Sequence, residues 1–345
     1  MPNPAGRAPV SLVTGGAGFI GSHVVDELVR AGHHVTVLDD LSGGARANIN
    51  PAAEFCLGSI ADEELVHALF EYCRFDYVYH LAAYAAEGLS HFIRRFNYKN
   101  NLIGSVNLIN ASVRHGVRCF VFTSSIAVYG AAQVPMREDV PPAPEDPYGI
   151  AKYAVEQDLR AARRLFGLDY VVFRPHNVYG ERQNVGDPYR NVIGIFMNQV
   201  AQGKPCTIFG DGVQRRAFTH IADVAPVIAA AVEFPDAYGE VFNIGADEPC
   251  TVNELSRLVR EAMGCDTGVV HFPARNEVAD AWSDHTKVRR VFGCEARVPL
   301  ADGLARMAAW VKQAGARRSC RPFDGIEISR RLPPSWAAIC SKAED

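Results

Sequence analysis

Apolar residues in the first half of the chain fall into two kinds of run. Short, nearly continuous stretches occur at 10–14 (VSLVT), 34–40 (HVTVLDD), 76–83 (DYVYHLAA), 118–125 (RCFVFTSS) and 169–175 (DYVVFRP). Such runs suit strands buried on both faces. Between them lie longer stretches with apolar residues three or four apart: Ile20, Val24, Val25 and Leu28 up to Gly32, then 62–73, then about 93–115 with Gly116 as its stop, and Pro147 to about Phe166. That spacing predicts helices with one buried stripe. Regular alternation of the two predicts an α/β fold, a doubly wound parallel sheet with helices on both faces.

After Tyr179 the texture changes. Short strands at 206–210, 240–245 and 267–272 mix with helices near 190–202, 221–234, 251–263 and 300–314. The expected organisation is a first domain over 9–180, then a smaller C-terminal α/β lobe, mainly for substrate, over 181–316. A tail over 317–345 is basic and then Pro-rich (RRLPPSW).

Composition narrows the function. A chain of 345 residues, 48% of them hydrophobic, can bury a large core. A net charge of −4 with no basic block points away from nucleic acid and anionic membranes as partners. No apolar stretch is long enough for a span, and MPNPAGRA at the start reads as a loose tail rather than a signal peptide. Nine cysteines without a C-x-x-C pair argue against both a disulfide framework and a zinc site, so no metal is expected. The expected setting is reducing and cytoplasmic.

VTGGAGFIGSH (13–23) sets Gly15, Gly18 and Gly21 between the first strand and the first helix. In that context Gly15 permits the tight turn, Gly18 lets backbone approach a pyrophosphate, and Gly21 lets helix pack close on strand. The helix N-terminus then offers free N–H groups to phosphate. Asp39 ends the second strand, where a carboxylate accepts from a ribose diol and repels a 2′-phosphate. The predicted fold is therefore of Rossmann type and the predicted cofactor is NAD. Arg46 is the nearby arginine that could instead accept a phosphate. Small residues in HLAA (80–83) leave room for a cofactor.

YGIAK puts Tyr148 and Lys152 four apart at a helix start, on one face. A phenol titrates near ~10 unperturbed. A neighbouring ammonium and an oxidised nicotinamide both lower that value, fitting Tyr148 for proton transfer near neutral pH. Ser125, at the polar end of RCFVFTSS, is the candidate to hold the substrate oxygen, with Ser124 as its alternative.

These motifs carry a resemblance. From about residue 10 to 315 the chain resembles extended short-chain dehydrogenase/reductases of the nucleotide-sugar epimerase/dehydratase family, and within it the UDP-glucose (UDP-galactose) 4-epimerases. Its markers are TGGAGFIGSH, HLAA, SSIAVYG, YGIAK, RPHNVYG (174–180), FGDGVQRRAF (209–218) and ARNEVADAWSD (274–284). The resemblance implies Ser125, Tyr148 and Lys152 as the catalytic trio. Cofactor contacts would come from Gly15, Gly18, Phe19, Ile20, Gly21, Asp39, Asp40, Ile60, Leu81, Ala82, Ala83, Asn100, Tyr148, Lys152 and Pro175. Asn100 and Asn177 would line the sugar-nucleotide site, Asn191, Val192, Thr207 and Phe209 would flank the base, and Arg216 and Arg275 would pair with the diphosphate. The helices over 93–115 and 149–166 would pair with those of a second copy in a homodimer.

The chain also departs from the family pattern. Ile126 and Ala127 stand where the dehydratases place Asp-Glu, which disfavours 4,6-dehydration. The glutamate of the decarboxylating relatives is missing there too. Ala85 replaces a lysine frequent near the nicotinamide, Ser59 an adenine-binding aspartate, and Ala217 an aspartate. Ala281 matches a position where bulk excludes N-acetyl groups. The expected activity is NAD-dependent 4-epimerisation of a UDP-glucose/UDP-galactose or UDP-GlcNAc type sugar nucleotide. The alternatives are a different epimerase or net oxidoreductase acting on a related sugar nucleotide, and a non-catalytic NAD-binding regulator.

Overall fold

The computed structural model describes residues 7–274, 278–316, 325–333 and 336. The first half runs β1 (Val10–Thr14), α1 (Phe19–Arg30), β2 (His34–Asp39), β3 (Glu54–Leu57), α2 (Glu63–Tyr72) and β4 (Tyr77–His80). Then follow α3 (Glu87–Ser90), α4 (Arg94–Tyr98), α5 (Gly104–Arg114), β5 (Cys119–Thr123), α6 (Pro147–Phe166), β6 (Asp169–Pro175) and β7 (Val178–Tyr179). The second half holds α7 (Val192–Ala201), β8 (Cys206–Phe209), β9 (Arg215–Ala217), β10 (Thr219–His220), α8 (Ala225–Ala230), β11 (Glu240–Ile244) and β12 (Pro249–Thr251). It ends with α9 (Val252–Met263), β13 (Val269–Phe272), β14 (Asp280–Ala281), α10 (Thr286–Phe292) and α11 (Leu300–Ala314).

Seven strands form one sheet in the order β11-β6-β5-β4-β1-β2-β3, every neighbouring pair parallel. The order reverses between β1 and β4, and both strands end at the glycine turn, where doubly wound sheets bind ligands. Central strands such as β5 are buried along their whole length. One sheet face packs on α1 and α8, with Val24, Val25, Leu28 and Ile228 fully buried, and the other on α2, α5 and α6 through Phe70, Leu108, Val155 and Leu159. Burying one such side chain contributes roughly 1.5–3 kcal/mol.

Local chemistry sets the helix that carries the candidate catalytic pair. Asp146 caps α6 by accepting from Tyr148 N at 2.9 Å and Gly149 N at 3.0 Å, Pro147 fits the first turn, and left-handed Gly167 ends it. The helix expected over 93–115 is present, but its middle, Lys99–Ile103, is a π-helical turn between α4 and α5.

Two elements lie differently from expectation. β3 was not apparent as a strand, because its four residues are exposed or half-buried and carry no long apolar run. The 240–245 strand, expected within the smaller lobe, joins the central sheet beside β6 instead. The chain thus returns to the first half after building part of the second. The remaining lobe has its own core from α7, α9 and α11, around Phe196, Leu255 and Met307.

Candidate active site

The glycine turn has the geometry its spacing predicts. Gly15 has φ +71°, and a Cβ there would come within 2.6 Å of Ala82 N. A Cβ on Gly21 would meet the Gly15 carbonyl oxygen at 2.1 Å, so helix and turn approach only because both residues are glycine. No side chain caps α1 and no acidic residue occupies its first turn. Its N–H groups and dipole therefore face the turn with no acidic side chain of the helix itself to answer them. Asp39, 8% exposed, accepts from Ala17 N at 3.0 Å and Leu41 N at 2.8 Å. Burial pushes its carboxyl up and those N–H bonds hold it down. A carboxylate with two such bonds keeps lone pairs for a ribose diol. Asp40 beside it is exposed and accepts from Ser42 N. These features fit a dinucleotide.

The floor of the site is built by β1 and β4. His80 bonds Thr14 Oγ1 at 2.7 Å through Nδ1 and Ser105 Oγ at 2.8 Å through Nε2. Burial holds its pKa well below the usual range, so the ring is neutral. Thr14 in turn accepts from Ala82 N, which fixes Leu81, Ala82 and Ala83 beside the turn. Ile60 is buried under this wall. Phe19 and Ile20 open α1, and Pro175 closes β6, so both places expected to touch cofactor lie at the C-terminal edge of the sheet.

Tyr148 is buried, and Ser125 lies beside its phenol, where it favours the ionised form. Ser125 also accepts from Ala127 N at 3.1 Å. Ser124, the alternative, instead donates to Glu156 Oε1 at 2.6 Å, away from the phenol. Lys152 Nζ donates to the Thr123 carbonyl at 2.7 Å and lies 5.8 Å from the centre of the Tyr148 ring. Burial lowers the Lys152 ammonium to about 7, opposed by the Glu156 charge. Burial also raises the Tyr148 phenol, opposed by neighbouring Ser125 and helped by Asp146 and Glu87. The lysine is itself desolvated and directs its proton at a backbone carbonyl.

Two asparagines that sequence reasoning did not single out hold this corner. Asn101 accepts from Tyr84 N at 2.9 Å and donates to Tyr84 O and to Asn97 Oδ1, while Asn97 donates to the Pro147 carbonyl at 2.8 Å. The loop after β4 is thereby tied to the start of α6. Their spacing of four in a helix was the available signal. Asn100, the expected contact, is half-buried and donates to Phe96 O.

The expected substrate residues lie on the second half. Asn177 follows β6 in the left-handed region, φ 42°, and donates to Ala217 O at 3.1 Å. Asn191 caps α7 through Ile193 N and donates to Val178 O, and Val192 begins that helix. Thr207 bonds Gln199 across α7 and β8, and Phe209 rests on Phe272. Arg216 turns its guanidinium to the carbonyls of Arg215, Ala279 and Val278, anchoring the 278–279 segment. Arg275 lies outside the described residues. Among the described residues, no group of three or more His, Cys, Asp or Glu gathers as metal ligands, and no helix is long and apolar enough to cross a membrane.

Fold and glycine turn together define a dinucleotide-dependent short-chain dehydrogenase/reductase architecture. Residues 11–245 match the NAD dependent epimerase/dehydratase family, to which the chain belongs. Its cofactor is NAD. The chain is 35% identical to a putative UDP-glucose 4-epimerase of Methanocaldococcus jannaschii over 306 residues, covering 87% of this chain and 98% of that one. The structure resembles the UDP-glucose 4-epimerase of Thermotoga maritima solved with UDP-glucose, at TM-score 0.83 and 40% identity, covering 88% of this chain and 99% of that one. It also resembles the UDP-glucose 4-epimerase of Thermus thermophilus in complex with NAD, at TM-score 0.83 and 32% identity, again over 88% and 99%.

Proposed function

We propose that this protein is a 4-epimerase of a nucleotide sugar, of the UDP-glucose/UDP-galactose or UDP-GlcNAc type. The placement of Ser125 beside Tyr148 carries the reading: it sets a hydroxyl next to a proton carrier at the edge of the dinucleotide cradle. Tyr148 takes the proton of the sugar 4-hydroxyl and later returns it, while Ser125 holds that oxygen. Bound NAD supplies the hydride acceptor and donor at C4. Lys152, one turn along α6, adjusts the phenol and the cofactor ribose. Ile126 and Ala127 after Ser125 leave no carboxylate for dehydration. Arg216 and Arg275 anchor the diphosphate while the 4-keto sugar turns, so no net redox change occurs.

Asn177, Asn191, Val192, Thr207 and Phe209 complete the substrate site in this reading. Ile103 and Ile150, both exposed, lie on the helical segments expected to pair in a homodimer. The described cysteines are all free thiols, which suits the reducing, cytoplasmic setting proposed here.

The test is NMR of the purified protein with UDP-glucose, UDP-galactose, UDP-GlcNAc and UDP-glucuronate in turn, with no NAD added. A new C4 epimer is the expected result and identifies the sugar. Silence with all four, even after NAD is supplied, overturns the UDP-sugar reading. Stoichiometric consumption of added NAD would make the enzyme a net oxidoreductase.

A further inference from the structure

The chain between Glu181 and Arg190 runs beside the glycine turn and its helix. At its start Arg182 pairs with Asp26 of α1 at 2.8 Å and donates to the Ser22 carbonyl, and His23 bonds the Glu181 carbonyl. At its end the Arg190 guanidinium lies against Gly43. A Cβ built on that glycine would meet the two terminal nitrogens of Arg190 at 3.2 and 3.5 Å. Gly44, the next residue, packs on Ala17 and Gly18 so closely that its Cβ would come within 2.5 Å of Ala17. The terminal nitrogens thus face the loop that lies directly on the glycine turn.

The guanidinium is held from behind. It stacks over the Tyr84 ring at 4.5 Å, and its Nε pairs with Asp187 at 3.0 Å. The Asp187 side chain is 1% exposed, whereas Arg190 keeps 24% of its own side-chain surface. Tyr189 packs edge-on against Trp336 at 5.4 Å, and Trp336 joins Tyr84, Leu89 and Ile93 in one buried cluster. The C-terminal segment therefore buttresses the residue next to Arg190. A stacked fork, about three-quarters buried, with its Nε edge toward the Asp187 carboxylate and its terminal nitrogens toward a phosphate-type turn is preorganised for an anion. Lys152 donates to a carbonyl, and position 85 is alanine.

We propose that Arg190 is a cofactor-binding residue whose guanidinium pairs with the pyrophosphate of NAD, adding a full charge to the neutral N–H donors of the glycine turn. The inference rests on NAD as cofactor and not on the sugar turned over. Tyr84, Asp187, Tyr189 and Trp336 act through it as positioning residues.

Full-length protein stripped of NAD would be titrated calorimetrically with NAD and, separately, with adenosine, which lacks the pyrophosphate. Arg190→Ala is expected to weaken NAD about ten- to hundredfold while leaving adenosine affinity unchanged, although the apo melting temperature should fall because buried Asp187 loses its partner. Arg190→Gln, which keeps a polar side chain of similar reach, should lose NAD in the same way, and it decides the matter if the alanine variant does not fold. Wild-type NAD affinity in a folded variant overturns the proposal. So does an equal loss for NAD and adenosine, which would make Arg190 a structural support. Neither readout depends on epimerase turnover.

Discussion

Glu156 of α6 and Arg174 of β6 meet in a two-pronged ion pair, Oε1 2.9 Å from Nε and Oε2 2.5 Å from Nη2, with neither side chain more than 1% exposed. Ser124 donates to the same Oε1, and the guanidinium lies over the Tyr129 ring at 4.7 Å. The pair sits one helical turn beyond Lys152, and the Glu156 carboxylate is what opposes the desolvation of that lysine. Glu156→Ala would strand a buried guanidinium and should cost about 3–5 kcal/mol. Urea unfolding measures this. The double change Glu156→Leu with Arg174→Met should recover most of the loss, because two apolar side chains leave no charge unpaired. A double variant as unstable as the single one would show that packing, not charge, dominates there.

Tyr148→Phe removes the proton carrier and leaves the ring. Turnover should fall by at least ~10²-fold, the usual contribution of a positioned acid–base group. NAD binding should survive, since the glycine turn and Asp39 are untouched. Sugar-epimer formation by NMR and cofactor content after purification together check this. Unchanged turnover would remove Tyr148 from the chemistry.

The parts of this protein legible in its sequence are those whose physics is local. The glycine spacing, the apolar strand runs and the Tyr148–Lys152 pair each lie within a few residues of one another, so turn, strand and helix rules suffice. The placement of 240–244 beside β6 rests on pairing between segments some 70 residues apart, which no period within either strand encodes. Arg190 was hidden for a different reason. A single arginine is usually a solvated charge, and only the fold brings Gly43 and Tyr84 to it. The docking of Trp336 on Tyr189 was equally out of reach, because the preceding Pro-rich segment has neither strand nor helix periodicity.

Gly21→Ala tests the close approach in the turn. Its Cβ would fall 2.1 Å from the Gly15 carbonyl oxygen, far inside contact distance, and that atom is backbone. The first turn of α1 must therefore move away from β1, taking its N–H donors from the pyrophosphate site. The variant should lose retained NAD and melt several degrees lower. Gly32→Ala is the contrast: its Cβ meets nothing within 4 Å, but its φ of +84° strains an alanine. That variant should lose stability and keep NAD. Cofactor release on denaturation, read by absorbance, separates the two.

His176 and His285 predict the acid limb of stability. Their Nε2 atoms are 3.1 Å apart and their rings stack at 22°. His176 Nδ1 faces the Ala217 carbonyl, and His285 bonds Ser283 and Asp247, the latter also paired with Arg289. Burial, and secondarily the His285 charge, push His176 down to about 3. The unfolded chain takes up this proton near ~6.5, whereas the folded chain refuses it until about 3. Between those values the unfolded state binds more protons, so stability rises with pH across the window and falls as the solution is acidified. Asp247, held down to about 2 by its bonds to His285 and Arg289, adds to the same slope below the ordinary carboxylate range. His176→Asn keeps a polar side chain near Ala217 and removes the titration. Urea unfolding at pH 7, 6, 5 and 4 should show the wild type losing up to about 1.4 kcal/mol more per pH unit than the variant below pH ~6.5. Parallel pH profiles would show that His176 does not control the acid limb.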